Sequence, residues 1–196
     1  MTQHASPAST GQARQDQEMM RAQHWAALGR LLSAAPDRAM LSALAAIARD
    51  ETPMGRAWGD LAAKAATVTP EAVASEYFEL FVGVGRGELL PYASFYLTGF
   101  LNERPLAELR RDLAVMGLER EAGRHDPEDH IASLCEIMAG LASGAFDADG
   151  LGCGGAGEAG FFARHIKPWA ALFFQDLARA HSADFYRSLA AVGAAW

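Results

Sequence analysis

Apolar residues in this chain recur at spacings of three and four, and no segment shows the sustained alternation of a half-buried strand, so helices must build its core. Met19, Met20, Trp25, Leu28, Leu31 and Leu32 drift around one helical face between about Gln15 and Ala34. Met40, Leu41, Leu44 and Ile47 give an inward stripe for a helix from Asp37 to Arg49, and a shorter helix is expected near Gly55 to Ala66. Thr69-Pro70-Glu71 supplies a cap, a proline at the first helical position and an early acid, so a helix starts there and runs to about Val82. Arg104 to Met116 is amphipathic again. Asp126-Pro127-Glu128-Asp129 repeats the start signal, with Asp126 as the cap, ahead of the stripe Ile131, Leu134, Cys135, Met138 and Leu141. Ile166, Trp169, Leu172, Phe173 and Leu177 mark a further helix, and Phe185, Tyr186 and Leu189 the last. The expected fold class is all-α: a single-domain, irregular helical bundle.

At 196 residues the chain is long enough for a substantial core and falls within the range of one domain. Residues 1–14 are small and polar and are expected to be a disordered tail. Residues 15–196 form the expected helical domain, in which the glycine-rich stretch 147–160 is expected to be mobile. No run reaches the roughly 18 apolar residues of a membrane span, and the N-terminus lacks a basic start followed by an apolar core. Two cysteines, Cys135 and Cys153, make neither a disulfide framework nor a CxxC pair. Together these features point to a cytoplasmic protein.

The formal charge of −7 is uneven. Residues 76–136 hold twelve acids and six arginines, a balance of −6, whereas the remaining twelve acids and eleven bases leave −1. That asymmetry disfavours nucleic acid and suits a basic partner, although a solvated helix face would carry the same signature.

The acidic segment contains the one stretch that breaks the helical pattern, EYFELFVGVGRGELLPYASFY from Glu76 to Tyr96. Tyr77, Leu80 and Phe81 finish a helix face, and then Gly83, Gly85, Gly87 and Pro91 end regular structure. Residues 89–102 carry no charge and include Tyr92, Phe95, Tyr96 and Phe100. A loop this apolar is either buried under helices or forms a binding surface.

Other constellations are weaker. GLGCGG at 150–155 matches G-x-G-x-x-G in letters, but no strand precedes it, so a flexible loop is the better reading. His125, Asp126, Asp129 and His130 lie close enough to be drawn as metal ligands, yet Asp126 and Asp129 suit the start of a helix. No metal or cofactor is expected. No Ser-His-Asp or paired-carboxylate arrangement can be assembled from the sequence alone.

E-Y-x-x-L-F-x-G (Glu76, Tyr77, Leu80, Phe81, Gly83), P-Y-x-S-x-Y (Pro91, Tyr92, Ser94, Tyr96) and the pair Asp129-His130 resemble the TorD/DmsD/NarJ-type family of redox-enzyme maturation chaperones. Trp169 and the stretch Phe185 to Ala190 fit as well. The resemblance implies a cytoplasmic all-helical chaperone for a molybdenum-dependent oxidoreductase. It would bind the twin-arginine signal peptide or N-terminal region of the apo catalytic subunit and assist molybdopterin insertion. Formate dehydrogenase, sulfoxide or amine-oxide reductases and nitrate reductase are the client types.

Physical chemistry adds a site to that expectation. Leu80, Phe81, Leu90, Pro91, Tyr92 and Tyr96 would line a groove for an apolar segment. Glu76, Glu79, Glu88, Glu128 and Asp129 are candidate partners for arginine, Asp129 first among them. With Tyr77, Ser94 and His130 these make the expected peptide-binding set. The plainer alternative is that Tyr77, Leu80 and Phe81 are core, and that Asp129 and His130 start a helix and pin the loop. A competing reading is a metal- or cofactor-dependent enzyme using His125, Asp129 and His130. A monomer is expected, with a dimer swapped through the polar connection 117–126 as the alternative.

Overall fold

The computed structural model describes residues 7–120, 126–146 and 157–195. The described residues form ten α-helices and no named strand, so the all-α expectation holds. In chain order they are α1 (Pro7–Ser33), α2 (Arg38–Ala45), α3 (Pro53–Ala65), α4 (Pro70–Tyr77), α5 (Ala93–Thr98), α6 (Arg104–Val115), α7 (Ile131–Ala142), α8 (Glu158–His165), α9 (Ala170–Arg179) and α10 (Phe185–Ala194).

Several helices start where their capping chemistry says they should. Asp37, Thr52 and Thr69 each accept a hydrogen bond from the backbone N–H three residues on, at Met40, Gly55 and Ala72. Pro53 and Pro70 take the first helical position, where a missing N–H costs nothing. The start of α1 differs from the expected tail over 1–14, because the helix already runs from Pro7. Gln12 donates to Asp16 one turn on, and only Gly11 opposes helix there. Residues 1–6 and most of the glycine-rich stretch, 147–156, lie outside the described residues.

The core forms where α1 packs along α7 and where α10 packs on α3 and α9. Trp25, Leu28, Leu31 and Leu32 of α1 meet the stripe Ile131, Leu134, Cys135 and Met138. Burying a Leu or Phe side chain contributes about 1.5–3 kcal/mol, so these seams carry most of the stability. Trp169 sits just ahead of α9 rather than within it, fully buried, with its indole N–H donated to the His165 carbonyl at 2.7 Å.

After α4 the chain widens into a π turn over Phe78–Val82, where one continuous α-helix was expected. Gly83 ends it at φ +62°, with its N–H on the Phe78 carbonyl at 2.7 Å. The chain then doubles back, and the N–H groups of Glu88 and Leu89 donate to the carbonyls of Glu79 and Leu80 at 3.0 and 2.8 Å. Gly87 allows this approach, since a Cβ there would lie 2.5 Å from the Phe81 carbonyl carbon.

Glu76 closes the far side. Its two carboxylate oxygens accept from the N–H groups of Asp184, Phe185 and Tyr186 at 2.8, 3.0 and 2.7 Å, which caps the start of α10. Replacing Glu76 by Ala strips three donors of their acceptor and should cost about 2 kcal/mol. A urea midpoint unchanged in E76A would show that this cap carries no stability.

Candidate functional site

Two sequence-distant pieces of backbone are stapled together at the centre of the motif region. The Ala93 N–H donates to the Asp129 carbonyl at 3.0 Å, and the Ile131 N–H to the Pro91 carbonyl at 2.8 Å. Tyr92 and His130 thereby form an isolated antiparallel bridge. The staple corrects the expected start of α7. Asp129 lies in a turn closed by the His130 N–H on the Pro127 carbonyl at 3.1 Å, and His130 is extended against Tyr92, so the helix begins at Ile131. His130 becomes the cap, with Nδ1 accepting the Ala132 N–H at 3.1 Å. Asp126, freed from capping, accepts the Tyr92 hydroxyl at 3.2 Å. Tyr92 packs edge-on against the His130 ring at 5.0 Å between centroids. Burial and the Asp126 charge push its phenol above the ordinary value.

Asp129 is the centre of this arrangement and is 1% exposed. Its Oδ2 accepts the Ser94 N–H at 2.8 Å, which anchors the start of α5. Its Oδ1 is buried with no hydrogen-bond partner among the described residues, as is the Ser94 hydroxyl. A buried carboxyl oxygen without a donor costs free energy, so its presence calls for an explanation. Asp129 lies at a cleft of ≈ 50 Å³ whose walls include Leu97 of α5, Glu108 and Leu109 of α6, and Arg164 and His165 of α8.

The other expected site residues divide sharply. Leu80, Pro91 and Ser94 are buried. Tyr77 and Phe81 pack on Tyr186 at 5.9 and 5.4 Å, and the Tyr77 hydroxyl donates to the Ser33 carbonyl. Tyr96 lies against Trp169 and Phe173 and donates to Asp176 at 3.1 Å. Of the residues expected to line a groove, Phe81 and Tyr96 are thus packed against the protein's own aromatic side chains. Among the candidate arginine acceptors, Glu76 caps α10, and Glu88 accepts from the N–H groups of His181 and Ser182 at 2.6 and 3.1 Å. Glu128 takes Arg110 at 2.8 Å, while Glu79 is exposed.

The competing metal reading gains no geometry. No group of three His, Cys, Asp or Glu side chains suited to a metal occurs among the described residues. His125, Cys153 and the GLGCGG stretch lie outside them. Cys135 is fully buried, and burial raises its thiol far above the range of a reactive thiolate. No helix among the described residues is long and apolar enough to cross a membrane.

Sequence reasoning passed over Glu108, Asp112 and His165. His165 is a buried side chain whose Nε2 lies 2.7 Å from Asp112, and Arg164 reaches the same carboxylate at 2.8 Å. Burial lowers the His165 pKa despite the opposing hydrogen bond and charge of Asp112, so the imidazole is neutral and donates from Nε2. Burial pushes Asp112 up, but the bonds from Arg164 and His165 outweigh it and hold the carboxyl below its ordinary range. The four-residue spacing between Glu108 and Asp112 was the available signal, because it puts both on one face of α6.

With this geometry in view, the chain matches the model of the nitrate reductase delta subunit family over residues 47–175. It belongs to that family, and the resemblance to TorD/DmsD/NarJ-type proteins holds. It is 27% identical over 128 residues to the chaperone protein TorD of Vibrio cholerae, an alignment covering 63% of this chain and 58% of the relative. It is 34% identical over 71 residues to chaperone protein TorD of Vibrio parahaemolyticus, covering 35% of this chain and 33% of that one. The matches thus span less than two thirds of these relatives' length. The fold is shared with a candidate redox enzyme maturation protein from Archaeoglobus fulgidus, at a TM-score of 0.51 and 16% identity over 99% of this chain and 95% of that one.

The depressed His165 pKa makes stability depend on pH. As pH falls through about 6.5 the unfolded chain takes a proton on His165 that the folded chain refuses, so stability drops with acidification. Melting temperature should fall more steeply between about pH 7 and pH 5.5 in the wild type than in His165→Gln. Parallel slopes in the two proteins would mean that His165 does not govern the acid response.

Proposed function

We propose that this chain is a maturation chaperone for a molybdenum-dependent oxidoreductase. Acting in the cytoplasm, it binds the twin-arginine leader or N-terminal region of the apo catalytic subunit and assists molybdopterin insertion before export or assembly. Family membership and the chaperone names of its relatives support the class. The observation that carries the site is the orphaned Oδ1 of Asp129, an acceptor held in place by the staple with no donor of its own. A guanidinium is the donor best matched to a carboxyl oxygen, because the bond is charge-assisted.

The remaining residues of the expected set take supporting roles in this reading. Tyr92 and His130 hold the staple, Pro91 and Ser94 shape it, and Glu76, Tyr77, Leu80, Phe81 and Tyr96 fix the surrounding scaffold. Residues 15–196 act as one chaperone domain, chiefly as a monomer.

The test is calorimetric titration with leader peptides from formate dehydrogenase, sulfoxide or amine-oxide reductase and nitrate reductase, each beside its Arg-Arg→Ala-Ala control. One leader should bind and its control should not. Asp129→Asn keeps an oxygen for the Ser94 N–H and puts an amide where the orphan acceptor stood. It should therefore melt near the wild-type temperature while losing about tenfold or more in affinity. Failure of every leader to bind would remove the leader-binding reading, and full affinity in D129N would remove Asp129 from it.

A further inference from the structure

The cleft above Asp129 has a second acidic wall and an apolar edge. Its volume of ≈ 50 Å³ is several times the 10–15 Å³ or so that one water requires. That is room for a planar group of a few heavy atoms rather than for a single solvent molecule. Asp129 stands in one wall and Glu108 in another. Of the basic residues lining the cleft, Arg164 is bonded to Asp112 and His165 is uncharged at neutral pH. Glu108 bonds Arg104 at 2.6 Å, but that arginine side chain is 84% exposed, so an incoming cation exchanges with it at little cost.

The edge of the cleft is apolar and exposed. Leu97 lines the cleft and is 43% exposed, and Phe100 and Leu101, which follow it, are 69% and 41% exposed. The turn that carries them is ordered by its own bonds. The Thr98 hydroxyl donates to the Ser94 carbonyl at 2.8 Å and accepts the Phe100 N–H at 3.3 Å. Because Asp129 holds the Ser94 N–H, the lip and the orphan acceptor belong to one rigid unit. An exposed leucine in the lining of an acidic cleft, followed in the chain by a turn that exposes Phe100 and Leu101, has the chemistry of an interaction surface.

We propose that Glu108 and the lip formed by Leu97, Phe100 and Leu101 complete the leader site. One arginine of the pair enters between Asp129 and Glu108, and the uncharged residues C-terminal to the arginines lie across the lip. This rests on the leader-binding reading above. The occupant follows from the surface itself, since a cation and an apolar segment in immediate succession match a carboxylate pair and an apolar lip in immediate succession. Because Oδ1 of Asp129 is buried, the arginine reaches it only when the side chains covering it move aside.

The test uses two synthetic peptides with adjacent arginines, one followed by a run of leucine and alanine and one ending after a short polar stretch. Each is titrated into wild type, Glu108→Gln and Phe100→Ser. Both substitutions lie outside the core, so the variants should melt like the wild type. For the peptide with the apolar run, each variant should lose about fivefold or more in affinity. For the short peptide, Glu108→Gln should still weaken binding while Phe100→Ser should not, a coupling that assigns the lip to the apolar run. If the wild type binds and both variants bind equally well, the lip and Glu108 are not the site, and the leader-binding reading stands. Equal losses of Phe100→Ser for the two peptides would overturn the assignment of the lip. If the wild type binds a natural leader but neither of these peptides, adjacent arginines and an apolar run do not define the occupant and the proposal falls while the leader-binding reading stands; if it binds no leader either, both fall. A concentration-dependent dimer in sedimentation that Phe100→Ser abolishes would instead assign the lip to a second copy of this chain and overturn the proposal.

Discussion

The short pairing of Pro91 to Ala93 with Asp129 to Ile131 is the constraint on which the rest of the motif region depends. Two backbone bonds and the Asp129–Ser94 bond are made almost out of contact with water. A bond of this kind contributes about 0.5–1.5 kcal/mol net, and more when one partner is charged. Its larger effect is positional. It sets where α5 begins, delays α7 to Ile131, turns His130 into a cap and leaves one buried oxygen of Asp129 with no hydrogen-bond partner among the described residues. Loss of the staple would expose several buried donors and acceptors at once, so the region should open as a unit.

The acidic excess of residues 76–136 is largely spent inside the molecule. Glu76 caps α10, Glu88 holds the α9–α10 connection, Asp112 gathers Arg164 and His165, and Glu128 takes Arg110. These carboxylates do the work that short polar loops would otherwise do, tying helix ends together across the fold. Of the other acids, Glu79 and Glu103 are exposed, Glu108 pairs with Arg104, and Asp129 keeps one buried oxygen with no hydrogen-bond partner among the described residues. A charged surface steers the encounter with an oppositely charged segment, whereas final recognition rests on short-range contacts.

The motif that carries the family resemblance proves to be mainly architectural. In E-Y-x-x-L-F-x-G the glutamate caps a distant helix, the tyrosine reaches the end of α1, and leucine and phenylalanine enter the core. The glycine makes the turn that lets the chain double back. In P-Y-x-S-x-Y the proline and serine form the staple and the last tyrosine packs on α9. Such a motif specifies the scaffold and does not by itself say what the scaffold binds.

Most helices were legible because their signals are local. Thr69-Pro70 and Asp37 act through bonds to residues three positions away, and the 3.6-residue period of α6, α7 and α10 marks their buried faces whatever they face. The sequence also singled out Asp129 and His130 as a pair that matters. It could not show that Asp126 would yield its capping role to His130, because that outcome depends on a backbone pairing across more than thirty residues. Nor could it separate Glu76 and Glu88, whose two oxygens are both taken up by helix-end N–H groups, from Asp129, which binds one such group and keeps its other oxygen without a donor among the described residues, since an acid's partners are set by where distant donors fall. Periodicity and capping chemistry act within a turn or two of helix and are written in the chain. The distinction between Phe81, packed on the protein's own aromatic side chains, and Asp129, at a cleft, arises only when α5, α6 and α8 close around one another, and tertiary packing alone decides it.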